Sequence, residues 1–215
     1  VIFVFLLVNA ILCSGQKNDS LLVMFWNLEN FFDYKDGGAG DSDKEFSSFG
    51  TRRWTKGRFQ AKCNAVSKSI YRISDIYGKL PDIIGLAEIE NRNVLYRLIN
   101  DTALKKAGYS FIHFDGLDRR GIDVALMYRK SVMKPLSVTR RIPVTENGDT
   151  LMSRDILHVR MKTGHSSLDF IVNHHPSKFG GERVSEGRRA AAMTCLCNMC
   201  DSLLNYPPSE YSGIV

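Results

Sequence analysis

Apolar and polar positions alternate along the chain with two different periods. Leu21 to Trp26 is apolar throughout and reads as a buried, central strand. Arg58 to Tyr77 sets Phe59, Cys63, Val66, Ile70, Ile73 and Tyr77 at three- and four-residue steps, the spacing of an amphipathic helix. Pro81 to Glu90 is a short apolar run that opens on Pro-Asp and closes in acid, a second buried strand. A helix is expected from Asn93 to Ala107, stopped by Gly108. Strands follow at Tyr109–Phe114, Ile122–Tyr128, Val132–Val138, Ile156–Met161 and Leu168–Asn173, with Glu146-Asn147-Gly148-Asp149 a turn. Glu182 to Leu204 is a last helix. Ile214-Val215, after Pro207-Pro208, looks like the opening of a further core strand, so the sequence reads as truncated there.

Three of these strands end in residues capable of chemistry. Asn27 and Glu29 close the first, Glu88 and Glu90 the second, Asn173 and His174 the last. Glu88 and Glu90 lie two apart and so point to the same side if the strand continues. Alone, they read either as a metal or phosphate site or as a solvated strand end with two surface acids. Three such endings together point to one convergent site, because strand ends in a sheet are held rigidly. Carboxylate and amide oxygens suit Mg²⁺ or Mn²⁺. A neighbouring histidine can hydrogen-bond a phosphate oxygen or move a proton.

Other stretches are less specific. The long loop from Phe32 to Lys56 holds Gly37-Gly38-Ala39-Gly40 without the spacing or following helix of a nucleotide-binding loop. Such a loop is either functional or mobile. Arg52-Arg53-Trp54-Thr55-Lys56-Gly57-Arg58 is basic around one aromatic and reads as a phosphate contact or as a solvated loop. Arg183, Arg188 and Arg189 sit early in the last helix, where a helix dipole disfavours them, which hints at an anion or acidic partner.

At 215 residues the chain is one domain, and a net charge of +6 with a pI near 9.1 favours anionic partners such as nucleic acid or lipid headgroups. Residues 1–15 read as a secretory leader whose true start is missing. Val1 to Leu12 is apolar, and small residues precede a cut before Gln16. A secreted or periplasmic protein is expected, with a lipid anchor at Cys13 the weaker reading. Cys63 stands alone, and Cys195, Cys197 and Cys200 lack a fourth ligand and knuckle spacing, so they read as buried small apolar residues.

The ordered set Trp26-Asn27-x-Glu29-Asn30, Leu86-Ala87-Glu88-Ile89-Glu90-Asn91, Arg120-Gly121-Ile122-Asp123-Val124-Ala125 and Asn173-His174-x-Pro176-Ser177-Lys178 resembles the endonuclease/exonuclease/phosphatase superfamily. That family includes pancreatic deoxyribonuclease, abasic-site endonucleases, bacterial sphingomyelinases and inositol polyphosphate 5-phosphatases. The resemblance runs from Leu21 to the end. It implies an α+β fold, a four-layer α/β/β/α sandwich of two mostly antiparallel sheets, incomplete at its C-terminal end.

It also implies a Mg²⁺- or Mn²⁺-dependent phosphodiesterase in which Glu88 is the main metal ligand and Asn27 contacts metal or phosphate. His174 would bind the scissile phosphate, and Asp115 would orient His174. Arg120, Asp123 and Asn173 would contact the substrate, with Glu29 and Glu90 in support and His175 structural. The family's later Gly-Asp-x-Asn and Asp-His motifs are absent from these 215 residues, so the piece alone is expected to be inactive or nearly so. A monomeric nuclease is the leading reading. A phospholipid or inositol-phosphate phosphoesterase is the alternative, with Phe46 and Phe49 as its candidate lipid contacts. A non-catalytic secreted binding domain is the reading from another class.

Overall fold

The structure, a computed structural model, describes residues 20–38, 40–164, 166–178, 180–205 and 211–215. The expected leader lies outside them. Eight strands form two four-stranded sheets. The first sheet holds β1 (Val23–Phe31), β2 (Ile83–Ile89), β3 (Tyr109–His113) and β4 (Asp123–Arg129) in the order β1-β2-β4-β3. The second holds β5 (Lys134–Arg141), β6 (Ile156–Thr163), β7 (Ser166–Val172) and β8 (Tyr211–Ile214), in that order. β1 pairs with β2 and β7 with β8 in parallel, and the remaining pairs are antiparallel. Among the described residues there are three α-helices: α1 (Lys56–Tyr77), α2 (Arg92–Asn100) and α3 (Glu182–Asn205).

Alternation along the strands divides the core. Ile83, Ala87, Val124, Leu126 and Tyr128 face the second sheet and meet Leu157, Val159, Met161, Leu168, Phe170 and Val172. The opposite face of the first sheet, with Ile84, Leu86, Ala125 and Met127, packs against Phe59, Val66 and Ile70 of α1 and Leu95 and Leu98 of α2. On the outer face of the second sheet, Leu151 meets Ala191 and Ala192 of α3. The layers are therefore α/β/β/α, as the resemblance implies.

Local chemistry sets the helix boundaries. Thr55 Oγ1 caps α1 by accepting from Arg58 N, and Gly78 ends it at φ 74°, a left-handed conformation that glycine adopts without a Cβ penalty. The expected helix 93–107 is broken: α2 stops at Asn100 and a 3₁₀ turn, Ala103–Lys106, follows. Thr102 is the reason. Its hydroxyl accepts from Leu104 N, a new N-cap that restarts the chain in another direction. Two further expectations change. β1 is an edge strand among the described residues, not a central one, and its apolar run is only partly buried: Leu22 and Met24 are covered while Phe25 is exposed. The cysteines of α3 are not buried: Cys197 is exposed and Cys195 and Cys200 are partly so, because Ser185, Ala191, Ala192 and Met199 form the inward face.

Candidate functional site

β1, β2 and β7 bring their C-terminal ends together, and two irregularities aim the side chains. The β1–β2 register shifts between Asn27 and Phe31, and β2 bulges against both neighbours between Ala87 and Ile89. Glu29, Asn30 and Glu88 carry φ values of 53°, 55° and 63°, a region that costs residues with a side chain about 1–3 kcal/mol each. The bulge also breaks the two-residue alternation. Glu88 turns to the open mouth, whereas Glu90 turns inward and is buried.

The Glu88 carboxylate is held at both oxygens. Oε1 accepts from Asn27 Nδ2 at 3.1 Å, and Oε2 accepts from Asn30 N at 2.8 Å. His174 Nε2 lies 3.8 Å from Oε1. Asn27 Oδ1 is engaged by Glu29 N at 2.8 Å, so in this arrangement Asn27 aims Glu88 and does not turn its oxygen to a shared ion. Half-buried Asn173 follows β7 directly and leads into His174.

His174 is set in place by its backbone. Arg154, itself buried, donates from Nε to His174 O at 3.0 Å, from Nη2 to His175 O at 2.5 Å and from Nη1 to Asp118 Oδ2 at 2.9 Å. Arg120 Nε lies 3.8 Å from Asp118 Oδ1. Burial and then the charge of Arg154 lower the His174 pKa to about 4, against the pull of Glu88, so the ring is neutral at pH 7. Its Nδ1 is buried without a hydrogen-bond partner among the described residues. Lys62 of α1 adds a second cation at this mouth. Its Nζ donates to Glu29 O at 2.7 Å, and burial lowers its pKa to about 8 despite the carboxylates of Glu29 and Glu88.

Asp115 and Asp123 lie elsewhere. Asp115 does not orient His174: its side chain is 85% exposed and faces His113 Nδ1 at 3.9 Å. β3 ends at His113, so Asp115 leaves the sheet before it can reach across to β7. Asp123 is buried, accepts from Gly116 N at 3.1 Å and lies 3.5 Å from His113 Nε2, turned inward away from any incoming substrate. Burial raises its pKa, as it does that of nearby Asp155. Of the residues expected to bind substrate, Arg120 and Asn173 stay beside His174 and Asp123 does not.

Three residues of the mouth, Lys62, Asp118 and Arg154, escaped the sequence reading. Only Arg154 left a trace, as a basic residue two positions before a strand. The basic approach to α1 is already committed: Arg52 pairs with Glu45 at 2.6 Å, and Arg58 donates to the Arg52 and Arg53 carbonyls. The loop around residues 32–55 is tied down. Trp54 Nε1 donates to Phe32 O, Asp43 accepts from Gly37 and Gly38, and buried Glu90 accepts from Asp33 N at 2.6 Å. Gly40 rests on the β3–β4 loop so tightly that a Cβ there would lie 2.4 Å from Arg120 O, and Asp41 N donates to Arg119 O at 2.7 Å. Phe46 stacks on Phe32 at 4.7 Å, and Phe49 is fully exposed.

Comparison with known proteins agrees with this architecture. Residues 22–211 match the model of the Endonuclease/Exonuclease/phosphatase family. No curated protein sequence matches significantly. Among solved structures, humanized D. rerio TDP2 carrying 14 mutations superposes with a TM-score of 0.51 at 16% identity, over 90% of this chain and 59% of that one. The human Nocturnin catalytic domain with bound sulfate anion gives 0.53 at 15% identity, over 88% and 66%. The chain thus spans 59% and 66% of those two solved chains. With the family model covering nearly all of the described sandwich, the chain belongs to the endonuclease/exonuclease/phosphatase family.

Proposed function

We propose that this chain belongs to a metal-dependent phosphodiesterase that hydrolyses nucleic-acid phosphodiesters by in-line attack of water, in a secreted or periplasmic, monomeric protein. The observation that carries the reading is the carboxylate of Glu88 facing the neutral imidazole of His174 at 3.8 Å, with Lys62 and Arg120 around them. The donor chemistry fits a hard divalent ion: a carboxylate fixed by two hydrogen bonds at an open mouth, beside an amide and an uncharged ring. Glu88 would hold Mg²⁺ or Mn²⁺, which supplies a Lewis acid for a phosphoryl oxygen.

The chain's own groups do the rest. Asn27 and Asn30 hold Glu88 in one rotamer. Arg154, tied to Asp118, fixes the backbone of His174 and His175, so the ring's position rests on a buried arginine. A neutral His174 can donate one hydrogen bond to a non-bridging phosphate oxygen without the cost of burying a charge. Lys62 and Arg120 attract a polyanion, and the net charge of +6 acts in the same sense at longer range.

The Gly-Asp-x-Asn and Asp-His motifs are not in these residues, so the 215-residue chain should bind metal and phosphodiester but turn it over slowly. The test is Mg²⁺-dependent hydrolysis of plasmid DNA by this chain, with EDTA as control. Glu88→Gln and His174→Ala should each lower the rate at least 100-fold, on the order expected for loss of a charge-stabilising group. Unchanged Mg²⁺-dependent hydrolysis by Glu88→Gln would remove the site assignment. Fully exposed Phe49 favours one second reading, hydrolysis of phospholipid headgroups. Release of phosphocholine from sphingomyelin vesicles, lost with Phe49→Ser while DNA cleavage persists, would support it.

A further inference from the structure

Away from the Glu88–His174 mouth, a second group of ligating side chains gathers on the flank of the sandwich. His113 ends β3, Asp123 opens β4, and Asp115 sits in the loop between them. One ligand atom from each of these three lies within 4.8 Å of the others. An ion with bonds of about 2.1 Å sets its ligand atoms about 3–4.2 Å apart, so closing the group takes only a small movement. Asp115 is exposed and gives the group an entrance, while the His113 side chain is only 1% exposed.

Two unsatisfied atoms mark the place independently. Asp155 arrives from a different element, directly before β6, and is buried. Its Oδ2 accepts from Arg140 at 3.1 Å, but its Oδ1 has no hydrogen-bond partner among the described residues. A Cβ on Gly116 would lie 2.5 Å from Asp123 Oδ1 and 3.6 Å from Asp155 Cγ, so both carboxylates crowd one glycine. His113 Nε2 is likewise buried, 3.5 Å from Asp123 Oδ2, and has no hydrogen bond among the described residues. Arg140, which also donates to the Asp115 carbonyl at 2.8 Å, is paired only with Asp155 among these carboxylates. A buried carboxylate oxygen without a donor is costly, and a cation removes that cost.

We propose that His113, Asp115, Asp123 and Asp155 form a second divalent-cation site, separate from Glu88, that takes an ion accepting mixed nitrogen and oxygen donors, of the Mn²⁺ or Zn²⁺ kind. Its work is positional. The site staples the β3–β4 loop to the strand end beside Arg154. That loop carries Asp118 and Arg120, and Arg154 is the residue that clamps the His174 and His175 carbonyls to Asp118. An ion on the flank therefore fixes the mouth without touching substrate.

The experiment is calorimetric titration of the full 215-residue chain with Mn²⁺, which the α3 thiols bind weakly. It is done in a Glu88→Gln background so that the first site is silent. One equivalent of Mn²⁺ is expected to bind and to raise Tm. Asp155→Asn should weaken that binding at least tenfold. Exposed Asp115→Asn, which does not threaten folding, should weaken it several-fold and shrink the Tm increase. No binding in the Glu88→Gln background, or binding that both Asp115→Asn and Asp155→Asn leave unchanged, overturns the proposal.

Discussion

The two outer helical layers of the sandwich are held by different physics. On the first sheet, α1 and α2 lie against a continuous apolar surface in which Phe59, Ile70, Leu95 and Leu98 are fully buried or nearly so. On the second sheet, α3 contributes mainly two alanines to its apolar contact, and a cavity of about 460 Å³ opens between α3 and the strands beside His158, Arg141 and Met199. The sheet surface there is charged. Asp169, with no exposure at all, lies 2.6 Å from His158 Nε2 and accepts from Arg160 Nε and Nη2 at 2.9 and 2.8 Å. One layer rests on many small apolar contacts; beneath the other, the sheet face is ordered around a single buried carboxylate.

That contrast can be broken at its strongest point first. Asp169→Ala leaves the Arg160 and His158 groups without their common partner and should cost about 3–5 kcal/mol in urea unfolding. Ile70→Ala, in the apolar layer, should cost about 2–5 kcal/mol by lost transfer energy and cavity. If Ile70→Ala cost clearly more than Asp169→Ala, the second sheet would not depend on its buried carboxylate. Met199→Ala removes a buried side chain that already borders a cavity, so it should fall at the low end of that range, about 2 kcal/mol.

A pH-dependent effect belongs to the loop beside the first layer. Burial and then the Asp43 carboxylate raise the Glu90 pKa to about 8. A raised carboxyl pKa gives stability that is complete below the unfolded value near 4.5 and is lost as pH rises through 8. Glu90→Gln should therefore flatten the fall in stability between pH 5 and 8. His174 has the opposite sign. Its lowered pKa gives stability present above 6.5 and lost as pH falls through about 4, and His174→Gln should remove that acid-side loss.

Most elements were legible because each buries one face, and burial writes a period of two or 3.6 into the sequence. Glu88 was legible for the same reason, as an acid closing an apolar strand. What alternation could not show was the bulge at Glu88, so Glu90 reads as a partner at the mouth, whereas it is buried and accepts from Asp33 N. Asp115 was assigned by its nearness to a strand end, but only the loop path after His113 decides where it points. Lys62, Asp118 and Arg154 reach the mouth from a helix, a loop and a pre-strand residue. No local pattern links positions that far apart in the chain.

The contact between Gly40 and the Arg120–Gly121 peptide couples the motion of two loops. Two loops that touch backbone to backbone cannot slide past one another, and neither can open alone without exposing the Asp41 amide bonded to Arg119. The two rims of the mouth should then breathe as one unit. In hydrogen exchange, the amides of Asp41 and Gly121 would share a single opening rate, and Gly40→Ala would quicken both together.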